Sequence, residues 1–204
     1  MKKIFFILLL LPVLSFSQTN KELIAENQKF QNELNSEYRN PEESPLRGNN
    51  FDHFKEHPFF PIDLKYRIKA EFTRTQTAVV FVNPTSSGRT QRYLEYGTAT
   101  FTIDGKAYSL KIYQSQDLIK MKEYEDHLFL PFRDETNGKE TYGGGKYMDL
   151  KIPEGDEILL DFNKSYQPYC AYNAYDYNCP IVPKENFLPV RIEAGVKYED
   201  IYHH

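Results

Sequence analysis

Residues 97–113 read GTATFTIDGKAYSLKIY. Asp104-Gly105 stands between two runs that alternate apolar and polar side chains, and Asp-Gly in that setting is the strongest short signal for a tight β-hairpin. The same period of two continues on either side. Upstream, Tyr66, Ile68, Ala70 and Phe72 alternate with Arg67, Lys69, Glu71 and Thr73, as in a strand with one buried face. Ala78 to Val82 is a short apolar strand that stops at Asn83-Pro84. Downstream, strands are expected at Leu128 to Phe132, Tyr147 to Ile152 and Glu157 to Phe162, with a last one near Leu188 to Ile192. Pro153-Glu154-Gly155-Asp156 reads as the turn of a second hairpin. Short strands with turn signals at this spacing predict a mainly β fold, an antiparallel sandwich or partly closed barrel.

Before the first strand the period is helical. Leu23, Phe30, Leu34 and Tyr38 recur on one side of Thr19 to Arg39, and Thr19 with Glu22 matches a capping box. The apolar stripe is expected to pack on the β domain. Pro41, Ser44-Pro45 and Arg47-Gly48-Asn49-Asn50 end the helix and form a linker. Residues 1–17 read as a signal peptide: Lys2 and Lys3, an apolar run from Ile4 to Leu14, then Ser15-Phe16-Ser17 with cleavage expected before Gln18. The run is too short for a mature helix across a bilayer core of roughly 30 Å. No other stretch approaches spanning length. The expected organisation is therefore a leader over 1–17, a helix and linker over 18–50, and one β-rich domain over 51–204, exported to the periplasm or beyond.

Composition narrows the partners. Cleavage removes two lysines, so the formal charge goes from −4 to −6. An acidic chain is not drawn electrostatically to nucleic acid or an anionic membrane. There are 16 Tyr and 15 Phe but no Trp, a balance that suits pleated sheet and supplies amphipathic contact surface. The two cysteines, Cys170 and Cys179, are expected to form a disulfide in an oxidising compartment, worth about 2.5–3 kcal/mol by loop-closure entropy.

Several familiar catalytic strings fail on inspection. His53-Phe54-Lys55-Glu56-His57 matches a zinc-protease pattern, but Pro58 forces His57 out of the helical region, so both histidines are expected at the solvated surface and no metal is expected. Gly143-Gly144-Gly145 lacks the Gly-Lys-Ser/Thr continuation of a phosphate loop and reads as a flexible turn. No nucleotide or cofactor motif is present, and no cofactor is expected.

Three polar blocks remain in the C-terminal half. The first runs from Phe132 to Tyr147 and contains Asp134, Thr136, Lys139, Glu140, Tyr142 and Lys146. The second contains Asp161-Phe162-Asn163, Tyr166 and Tyr172. The third runs from Cys179-Pro180 through Glu185-Asn186 to Leu188-Pro189-Val190. In these blocks the chain resembles a bacterial family catalogued as domain of unknown function 1684, over about Lys21 to Lys197. Val196 departs from the acid that commonly follows Ala-Gly there. The resemblance implies no activity.

On the residues alone, Asp134, Glu140, Asp161 and Glu185 offer a possible acid/base pair. The structural alternative has Asp134 and Asn163 bonding their own turns, with Lys139, Lys146 and Glu140 paired across strands. Tyr142, Tyr147, Tyr166 and Tyr172 are expected to line a hollow, with hydroxyls oriented by Asp161 and Asn163. The reading that follows is a binding module for a small polar ligand or an envelope partner, with Asp134, Thr136, Lys139, Glu140, Tyr142, Lys146, Tyr147, Asp161, Asn163, Tyr166, Tyr172, Glu185 and Asn186 as its surface. A paired-carboxylate hydrolase and a structural envelope component are the alternatives.

Overall fold

The computed structural model describes residues 19–199 and 201–202; the expected signal peptide lies outside them. Helix α1 (Asn20–Arg39) and a short α2 (Asn49–His53) precede eight strands: β1 (Arg67–Arg74), β2 (Val80–Pro84), β3 (Thr90–Ile103), β4 (Lys106–Ser115), β5 (His127–Asp134), β6 (Lys146–Lys151), β7 (Glu157–Asp161) and β8 (Phe187–Leu188). They form one curled half-barrel sheet in the order β6-β5-β4-β3-β1-β7, mainly antiparallel. β2 lies beside the first part of β3, and β8 joins β5 in parallel.

The hairpin expected at 104–105 is present. Asp104 (φ 48°) and Gly105 (φ 77°) both take positive φ, the conformation whose twist matches the flanking strands β3 and β4. Gly97 marks a register shift in β3. A Cβ there would stand 2.5 Å from the Phe72 ring and 2.7 Å from the Thr73 carbonyl oxygen, so only glycine lets β1 lie this close.

The turn at 153–156 does not make the expected hairpin. β6 pairs with β5 and β7 pairs with β1, so the strands on either side of that turn are the two ends of the sheet order. Six flat strands would hold those ends about 24 Å apart. The connecting residues 152–156 reach at most about 22 Å when fully extended. The sheet must curl, which is what half-closes the barrel. The last expected strand also contracts, from Leu188–Ile192 to Phe187–Leu188, and residues 189–196 continue as irregular chain with Ile192, Ala194 and Val196 fully buried.

The sheet carries a core on each face. Leu128, Leu130 and Phe132 of β5 join Ala99, Ile112 and Leu160 in the main core, while Phe129, on the other side of the pleat, joins Tyr93, Tyr113, Tyr147 and Val182. A third cluster ties α1 down through Tyr38, Leu46, Ala171 and Tyr172.

α1 begins as expected, with Thr19 and Glu22 completing the capping box. Its apolar stripe faces the domain as expected: Tyr38 is fully buried, Leu34 packs on the same cluster, and Leu23 and Phe30 are half-buried. Asn27 and Asn35 are buried beside the stripe. Asn27 Nδ2 donates to Asp161 Oδ2 at 3.1 Å, and Asn35 Oδ1 accepts from the His57 amide at 2.7 Å. The stripe is thus flanked by a polar seam, because the face it meets also offers backbone and carboxylate groups that require partners.

His57 is a correction. Instead of lying at the solvated surface it is 3% exposed, with its ring packed against Tyr38, Phe54 and Tyr172 at centroid distances of 4.2, 4.9 and 5.4 Å. Burial holds its pKa down at about 3. α2 ends at His53, which is exposed, so the two imidazoles do not share a helix face. Among the described residues no cluster of three or more metal-ligating side chains occurs.

Candidate functional site

Side chains of the first polar block close on the irregular segment 190–198. Asp134 Oδ1 accepts from the amides of Thr136 (2.7 Å) and Ile192 (3.3 Å), while its Oδ2 lies 2.9 Å from Lys146 Nζ. Both side chains of this ion pair are fully buried, and Lys146 also donates to the carbonyl of Ile192 at 2.9 Å. Burial lowers the Lys146 pKa and the Asp134 carboxylate opposes that shift. Thr136 shares a 2.9 Å hydroxyl contact with Thr141. The expected pairing of Lys146 and Lys139 with Glu140 across strands is replaced: Glu140 meets Arg191, and Lys139 is exposed. Gly195 (φ +79°) lies so close to Ser165 that a Cβ would stand 2.5 Å from its carbonyl oxygen.

The second and third blocks bond other parts of the fold. Asp161 accepts from the amide and side chain of Asn163 and pairs with Arg67, its registered partner on β1. Asn163 grips both backbone groups of Asp63 at 3.0 and 2.9 Å. β4 and β5 share one registered pair, Tyr113↔Phe129, and Asn186 bonds backbone groups on both strands, those of Lys111 and Pro131. Glu185 is exposed and accepts from Tyr113. Asp134, Glu140, Asp161 and Glu185 are therefore each committed to a different partner.

The structure divides the four tyrosines. Tyr142 packs edge-on to Tyr198, and Tyr172 is buried with its hydroxyl 3.3 Å from His57 Nδ1. Tyr147 and Tyr166 line a cleft of about 800 Å³ on the sheet face opposite the main core. Their hydroxyls bond the Pro180 carbonyl and Asp149, not Asp161 or Asn163.

That cleft is built from four sources. β3, β5 and β6 supply Tyr93, Phe129 and Tyr147, whose neighbouring rings lie 5.8 and 4.8 Å apart. α1 contributes Phe30, Leu34 and Glu37. The segment after β4 contributes Leu118, Met121 and Tyr124. The fourth wall is the loop closed by the Cys170–Cys179 disulfide, which carries Tyr177 and Asn178.

At one place in the wall His127 Nε2 lies 2.9 Å from Asp149 Oδ1, and Tyr166 donates to Asp149 Oδ2 at 2.7 Å. His127 Nδ1 is buried without a hydrogen-bond partner. Tyr169 donates to Glu37. Burial raises the pKa of Tyr93, Tyr147, Tyr166 and Tyr169, so these hydroxyls stay protonated donors. A second hollow follows the outer side of α1, but polar helix side chains line most of it and it has no aromatic wall comparable to the cleft's.

Sequence reasoning missed Tyr93, His127, Phe129 and Asp149. The signal was the run from His127 to Phe132, apolar on both faces of the pleat, which requires cover on both sides.

Fold and cleft together define a class: a single-sheet β half-barrel whose N-terminal helix and disulfide loop wall an aromatic cleft. The chain belongs to the family described as "Protein of unknown function (DUF1684)", matched over residues 52–197. It is similar to an uncharacterized protein of Haloarcula marismortui solved by NMR in solution, at 33% identity and a TM-score of 0.68, covering 90% of this chain and 97% of that one. No curated protein matches the chain.

Proposed function

We propose that the protein is an exported binding module that takes a small ligand into the cleft between α1, the disulfide loop and the aromatic sheet face. The observation that carries this is the cleft itself. Its volume of about 800 Å³ lies within the range of small-molecule sites, roughly 300–1,000 Å³, and it joins apolar walls to a few convergent polar groups. Export is supported by the leader-like first 17 residues and by the disulfide. No helix among the described residues is long and apolar enough to cross a membrane.

The absence of tryptophan gives a direct test. Met121 lines the cleft and is 46% exposed, so Met121→Trp installs a lone fluorophore at the site. Small amphiphilic probes should shift its emission saturably, and Phe129→Ala should weaken that response while the protein still melts cooperatively. Emission that rises only linearly with every probe would remove the binding reading.

A further inference from the structure

The chemistry of the cleft wall restricts what the ligand is; this inference rests on the binding reading above. Among the described residues three carboxylates line the cleft, and no lysine or arginine does. Asp117 is paired with Arg92 and Lys120, so its charge is already engaged. Glu37 and Asp149 differ: among the described residues neither has a lysine or arginine partner. Their hydrogen bonds come from Tyr169, from Tyr166 and from the His127 ring. A tyrosine hydroxyl satisfies a carboxylate oxygen without cancelling its charge. The two groups are held from one segment of the cleft wall, since the tyrosines that bond them, Tyr166 and Tyr169, stand three residues apart and both line the cleft.

The polar end therefore combines two carboxylates with electron-rich ring faces, beside the apolar walls of Phe30, Leu34 and Phe129. We infer that the cleft selects protonated amines carrying an apolar body, with the ammonium group at Glu37 and Asp149. A carboxylate or phosphate ligand would meet repulsion at that end.

Three probes with one six-carbon chain separate the possibilities. Met121→Trp protein is titrated at neutral pH with hexylamine, which is protonated there, with 1-hexanol and with hexanoate. The amine should bind about tenfold tighter than the alcohol, and hexanoate weakest. Asp149→Asn and Glu37→Gln should each reduce the amine's advantage over 1-hexanol several-fold. Should either variant melt early, salt supplies the same decision: going from about 0.02 M to about 0.5 M NaCl should weaken the amine alone. Equal affinity for amine and alcohol, or an amine affinity indifferent to salt, would overturn the inference while leaving the cleft a ligand site. Silence toward all three probes would overturn both.

Discussion

His57 and Lys146 show how far a residue's role depends on what folds against it. The Pro58 argument correctly placed His57 outside the helix that holds His53, yet it gave no sign of burial, because Asn35, Tyr38 and Tyr172 reach His57 from distant parts of the chain. Its pKa is about 3 in the folded protein and about 6.5 in an unfolded chain. The unfolded state therefore binds the extra proton between those values, and this contribution to stability is complete above pH 6.5 and falls as pH drops toward 3. Urea titrations should show the wild-type chain losing about 2 kcal/mol relative to His57→Phe between about pH 7.5 and pH 5. Parallel pH dependence of the two proteins would refute it. Lys146 and Asp134 stood out in the sequence as site candidates, and in the structure both are sealed from solvent. Removing one member of such a pair costs about 3–5 kcal/mol, because the other charge is left buried alone. Lys146→Met should show that loss by denaturant melt, and Lys146→Met with Asp134→Asn should recover a large part of it. No recovery in the double variant would show that the two charges are not coupled.

At the level of elements, the sequence displayed reversals more clearly than partners. Asp104-Gly105 was legible because its turn and its pairing are one local event in φ and ψ. Pro153 to Asp156 also reverses the chain, but the pairing of β6 and β7 was decided by β5 and β1, and no local signal records that. The disulfide was legible from compartment and spacing; its place in the cleft wall was not, since Tyr177 and Asn178 meet β3 and α1 only through the fold. Reduction should lower stability by about 2.5–3 kcal/mol and also weaken the fluorescence response of Met121→Trp to cleft probes. A melting midpoint unchanged by reduction, with both thiols confirmed free by mass spectrometry, would contradict the first expectation. Unchanged probe affinity in the reduced, folded protein would contradict the second.

The whole molecule is one sheet with two differently used faces. The main core needs nothing from α1: every residue in it comes from Tyr66 onward, and the family match likewise begins at residue 52. The other face depends on α1 for Phe30, Leu34 and Glu37, and on the disulfide loop that α1 braces through the Glu37–Tyr169 bond. The polar strings most visible in the sequence hold the first arrangement together by bonding the 190–198 segment, β1, β4 and β5, whereas the cleft is assembled from scattered single residues with no string to read. A chain starting at Pro41 should therefore keep its β-type circular dichroism and a cooperative melt, at a lower midpoint because Asp161, His57 and Tyr172 lose Asn27, Asn35 and Tyr38. It should no longer respond to cleft probes through the Met121→Trp reporter. If that shortened chain is unfolded, α1 belongs to the folding core; if it binds as tightly as the full chain, the ligand site lies elsewhere on the sheet.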